Sequence, residues 1–147
     1  MHLNLVVVTA SNLANSGDRK LRILLADDQS FIRKTVRTIL EGCSRFEVCG
    51  EAANGATAIE EALRLKPDVV VLNVSMPILS GFEAAREIKS KQPESAIVIL
   101  SSHADKHFVE EGKRVGARAY VAKTKIGEAL IKAIRDAVES EDFILVN

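Results

Sequence analysis

Four short apolar runs each end in polar side chains capable of chemistry. Asp27-Asp28 follows residues 21–26, Asn73 follows residues 69–72, Ser101-Ser102 follows residues 96–100, and Lys123 comes just after residues 117–121. If those runs are parallel strands, two carboxylates, an amide, hydroxyls and an ammonium gather at one sheet edge, where open α/β folds place their functional groups. A carboxylate pair offers Mg²⁺ the hard oxygen ligands it prefers while leaving it several waters. An ammonium and a hydroxyl opposite that pair suit the oxygens of a phosphoryl group. Taken alone, Asp27-Asp28 could simply cap the next helix, because acids favour helix N-termini. Ser101 and Lys123, at the matching ends of other runs, favour a common pocket. Ser102 reads as a small residue lining its entrance.

The elements that must position these groups follow from the periodicity. Several runs are apolar throughout instead of alternating, as strands covered on both faces should be. Residues 46–50 supply a further strand. Between the strands, Ile32, Val36, Ile39 and Leu40 share one helical face, as do Ala58, Ile59, Ala62 and Leu63, and later Ile126, Leu130, Ala133, Ile134 and Ala137. Pro67 and Pro93 stop helices before the third and fourth strands. Five strands alternating with helices predict a doubly wound α/β fold, its five-stranded parallel sheet covered by helices on both faces. Gly112 and Gly116 are expected to close the fourth helix as left-handed caps. Gly50, Gly55 and Gly81 read as backbone punctuation.

Composition bounds the class. The chain has 147 residues, 47% hydrophobic and 27% charged, enough for one domain with a full core and too apolar for general disorder. Lys+Arg and Asp+Glu number 20 each, so the whole chain exerts no net attraction on nucleic acid or anionic lipid. Cys43 and Cys49 form no disulfide framework and lack metal-ligand spacing with any histidine, which suggests free thiols in a reducing compartment. His103 and His107 read as surface residues. The apolar stretch at residues 5–8 is far shorter than the roughly 20 residues of a membrane span, and no basic segment precedes it. A cytoplasmic protein without a membrane contact is expected. Residues 1–20 read as a leader or linker and residues 21–140 as the domain. The last segment, 141–147, is a tail or the start of a linker to an output domain, and its apolar Phe143-Ile144-Leu145-Val146 must fold back or meet a partner.

Over about residues 21–140 these features resemble the receiver domains of two-component response regulators. Asp27-Asp28 matches the acid pair, and Asn73-Val74-Ser75-Met76-Pro77, with Gly81 beyond it, resembles the phosphoacceptor loop. Ser101, Lys123 and Tyr120 fall at the places of the switch hydroxyl, the pocket lysine and the aromatic switch. Asp28 precedes Asn73 by 45 residues, Asn73 precedes Ser101 by 28, and Ser101 precedes Lys123 by 22. Tyr120, the one tyrosine, reads equally well as ordinary core.

The resemblance implies the strand order 2-1-3-4-5 and a non-enzymatic signalling role. It implies a sensor histidine kinase as phosphoryl donor, and Mg²⁺ on Asp27, Asp28, residue 73 and the Ser75 carbonyl. Lys123 and Ser101 would bind the phosphoryl oxygens, with Tyr120 turning inward behind the hydroxyl to bias a bistable surface. Residue 73 departs from that pattern. An amide is neither an anionic ligand nor a nucleophile toward phosphorus, so the usual aspartyl phosphate cannot form and Mg²⁺ should bind weakly. The order of residues 137–144 resembles the receiver exit of LuxR/NarL-class transcription regulators. The expectation is a receiver fragment of such a regulator that does not itself bind DNA. The alternative is a stand-alone, phosphorylation-independent receiver acting through protein contacts. Self-association through a helix face or the apolar tail is a further expectation. A metal-dependent phosphotransfer hydrolase would need an Asp-x-Asp pair and more chain, and a flavodoxin-like carrier would need a phosphate-binding loop after the first strand.

Overall fold

A computed structural model describes residues 19–147. Most of the expected leader, 1–18, lies outside the described residues. Strands β1 (Leu21–Ala26), β2 (Phe46–Ala52), β3 (Val69–Leu72), β4 (Ala96–Ser101), β5 (Ala119–Ala122) and β6 (Ile144–Val146) form one sheet. The helices are α1 (Ser30–Glu41), α2 (Gly55–Leu65), α3 (Gly81–Lys91), α4 (Lys106–Arg114) and α5 (Glu128–Glu139). The sheet order is β2-β1-β3-β4-β5-β6, and every pairing is parallel.

Strand side chains alternate between two cores, which is why the runs are apolar throughout. Ile23, Leu25, Val69, Val71, Val98 and Leu100 face α1 and α5, meeting Val36, Leu40, Leu130 and Ile134. Leu24, Val70, Leu72, Ile97, Ile99 and Tyr120 face the other way, meeting Ala58, Ala62, Ala84, Ile88 and Val109. Alanines on that second face let the helices lie close to the sheet. The helix starts are locally encoded. Asn54 and Asp105 accept from the backbone amides of Thr57 and Phe108, and Ser80 with Glu83 forms a reciprocal capping box.

One expectation is extended and another corrected. Among the described residues the sheet keeps the expected five strands in their order and adds a sixth, because the apolar tail folds back along β5, with Tyr120 opposite Leu145. Arg118 pins the reversal by donating to the carbonyls of Ala137 (3.0 Å) and Ser140 (2.6 Å). The rescue of unpaired backbone and apolar area at an open edge explains why so short a strand forms. Gly112 does not cap α4; it lies within that helix, and only Gly116 has the left-handed φ of +95°.

Beside β1, Arg33 and Arg37 of α1 both bind the Glu51 carboxylate, Arg33 through Nε at 2.7 Å. Arg33, then Arg37, hold the Glu51 carboxyl below its ordinary value against the opposing effect of burial. A depressed carboxyl stabilises the fold above its unfolded value of about 4.3, and that share is lost as pH falls through the lower folded value. Glu51→Gln should therefore be less stable than the parent at neutral pH, with the gap closing below about pH 4. Thermal melts across pH test this; a gap that persists undiminished in acid would show that charge plays no part.

Candidate functional site

The strand order reverses direction between β1 and β3, so their carboxyl ends open side by side. Ala26 pairs with Leu72, and the next residues, Asp27 and Asn73, continue from adjacent strands. The Asn73 amide N–H donates to the Ala26 carbonyl at 2.9 Å, carrying the ladder to the edge itself. On the other side of β3, Ser101 at the end of β4 pairs with Ala122, the residue before Lys123.

Asp27 is buried and fully engaged. Its Oδ2 meets Lys123 Nζ at 3.0 Å, and its Oδ1 accepts from the Gln29 amide at 2.9 Å. Its backbone carbonyl accepts from Arg33 Nη1 at 2.7 Å, so the Arg33–Glu51 pair also braces the acid loop. Such a pair is costly to break from one side, because removing Lys123 would strand a buried charge. Asp28 is exposed and reaches Asn73 instead.

Asn73 is 7% exposed, and its Nδ2 donates to the Ser75 carbonyl at 2.7 Å and to Asp28 Oδ1 at a long 3.4 Å. Both partners are acceptors only, which fixes the amide with its nitrogen toward them. Asp28, the Ser75 carbonyl and the residue 73 side chain thus meet, while Asp27 turns to Lys123. Lys123 pairs with Asp27, and the Asn73 amide donates firmly to Ser75 and only at long range to one oxygen of Asp28. Among the described residues, no group of three or more His, Cys, Asp or Glu side chains is placed to hold a metal. With Asp27 paired to Lys123 and a neutral amide at residue 73, the unpaired anionic group left at this edge for a cation is the exposed Asp28 carboxylate.

The remaining candidates divide. Ser101 is buried and its Oγ accepts from the His103 amide at 2.9 Å, whereas Ser102 is exposed. Tyr120 is fully buried, and its hydroxyl donates to the His103 carbonyl. Burial pushes the Tyr120 phenol above its ordinary value, and a hydrogen bond with Ser101 opposes that shift. His103 is exposed, as expected, with its ring stacked on Phe108 at 4.8 Å. Its backbone nevertheless joins Ser101 to Tyr120, a role carried by main-chain atoms and so invisible in residue type. Arg33 was also missed; its only signal is an arginine one helical turn into α1 after the acid pair.

The class this geometry defines is a doubly wound α/β domain with an acid pair, a half-buried lysine on the buried Asp27 and a strand-end hydroxyl, all at the carboxyl ends of its strands. The family model for the response regulator receiver domain matches residues 23–135. The chain belongs to that family. It is 42% identical over 122 residues to the Bacillus subtilis transcriptional regulatory protein YxjL, covering 83% of this chain and 56% of that protein. It is 34% identical over 115 residues to the chemotaxis protein CheY of Thermotoga maritima, covering 76% of this chain and 95% of CheY. Among solved structures, the receiver domain of the putative regulator NarL from Mycobacterium tuberculosis superposes with a TM-score of 0.79 at 27% identity, covering 82% of this chain and 98% of that one. The chain spans about half the length of the transcriptional regulators it matches. Among the described residues, no helix is long and apolar enough to cross a membrane.

Proposed function

We propose that this chain is the receiver module of a cytoplasmic two-component transcription regulator of the LuxR/NarL kind, not phosphorylated by the usual aspartyl route because residue 73 is asparagine. The observation that carries the reading is the Asn73 amide, which donates to Asp28 and Ser75 where the family's pattern places an aspartate. The module is not an enzyme and binds Mg²⁺ weakly. Its partners are a sensor histidine kinase and an output domain, on the same chain or another, with a second copy of the module as a further contact. Sequence-specific DNA binding belongs to the output domain and not to this module. The match to CheY over 95% of that protein supports a second reading, a stand-alone receiver working by protein contact alone.

The test uses acetyl phosphate with Mg²⁺, read by intact mass. In the Asn73→Asp variant a carboxylate oxygen attacks phosphorus, and the bond to acetate breaks with its electron pair leaving on acetate. That variant should gain one phosphoryl group at residue 73, and the chain itself none. Phosphate in the pocket of the unaltered chain, or none on the variant, would refute the assignment.

A further inference from the structure

Gly112 is an unusual choice where it stands. It lies within α4 with no left-handed φ, so the backbone there does not require glycine. An interior glycine destabilises a helix relative to alanine. Space explains it: a β-carbon at residue 112 would lie 2.8 Å from Tyr120 Cδ2 and 3.2 Å from Cε2. The ring lies directly on the helix backbone, and no ring atom is the free end of a flexible chain. Phe82 and Phe108 pack in the same core, with ring centroids 6.3 Å apart. On the same sheet face β6 sets Leu145 beside Tyr120, and Phe143 joins that core under the Lys113 ammonium. The hydroxyl ends at His103, whose amide in turn holds Ser101. Nothing in this arrangement calls on residue 73.

We propose that Gly112 is a positioning residue that seats Tyr120 inward by packing alone, so that the Ser101–His103–Tyr120 arrangement is set without a phosphoryl group. The inference rests on reading the chain as a receiver, in which that aromatic reports the state of the site. Here the state is written into α4 and does not await a signal at the acid edge.

The chain has one tyrosine and no tryptophan, so its ultraviolet emission reports Tyr120 alone. In the unaltered protein that emission should resist quenching by iodide and acrylamide. Gly112→Ala should raise the quenching constant severalfold while the far-ultraviolet circular dichroism keeps its α/β shape. An alanine variant that stays as protected as the parent would overturn the proposal. Melting temperatures give a second arm should the single variant fold poorly. Gly112→Ala should lower the melting temperature in the parent and raise it in a Tyr120→Leu background, where the ring is gone and only helix propensity remains. The same sign in both backgrounds would also overturn it. In Asn73→Asp, quenching should be equal before and after a phosphoryl group appears by mass; protection that rises only with the phosphoryl group would return control to the acid edge and end the proposal. Failure to gain that group tells against the receiver assignment, while the two Gly112 arms still decide the seat.

Discussion

Gly81→Ala should cost the fold about 3 kcal/mol, a large part of the 5–15 kcal/mol that holds a domain of this size together. A β-carbon at residue 81 would stand 2.0 Å from the Asn73 carbonyl oxygen, 2.8 Å from its carbon and 3.0 Å from Val74 Cα. All three are backbone atoms, so no side-chain rotation relieves the contact. The Gly81 amide also donates to the Val74 carbonyl at 2.7 Å, tying the start of α3 to the loop that carries Asn73 and Ser75. Alanine would have to pry that loop from the helix, moving both groups away from Asp28. Chemical denaturation of the variant measures the loss. A midpoint within error of the parent would mean the loop yields freely, and the rigid site described above would not exist.

Asn73→Asp should destabilise the metal-free protein by about 2 kcal/mol and make it responsive to Mg²⁺. The substitution removes the donor that meets Ser75 and Asp28 and replaces it with a second acceptor. A carbonyl then faces a carboxylate, and two carboxylates face each other with Lys123 already committed to Asp27. Mg²⁺ binds the folded arrangement and not the unfolded chain, so millimolar ion should restore the melting temperature of the variant. In the unaltered chain the amide already occupies those acceptors, and the same ion should shift the melt far less. Equal Mg²⁺ shifts in the two proteins would place residue 73 away from the cation and undo the reading of the site.

The legible part of the molecule was what repeats or what carries charge. Val69–Leu72 and Ala96–Ser101 read as strands because both their faces are buried, and Ala58, Ala62, Leu130 and Ile134 fall at helical spacing against them. Asp27, Asp28, Asn73, Ser101 and Lys123 stood out as candidates because each lies at or within two residues of a strand's end, and strand ends meet in a parallel sheet. Gly81 and Gly112 could be seen as glycines, but their reasons lie 8 residues away in one direction and in the other, in atoms that a linear pattern does not bring together. The contribution of His103 resides in its main chain, which every residue shares. The strand at Ile144–Val146 is too short to show a period, and its partner edge exists only once the other five strands are in place. Arg33 acts on the Asp27 carbonyl, again a backbone group.

The sixth strand also changes the compass of the molecule. Helix α5 runs back from the acid edge, so a chain continuing straight from Glu139 would depart at the opposite pole. Because Ile144–Val146 runs parallel to β5, it turns the chain around, and Val146 lies level with Val121, two residues short of Lys123. A dye, tether or folded cargo joined after Asn147 is therefore launched from the rim that holds the lysine. Its motion would report on, and pull against, the end of the sheet where the acids lie.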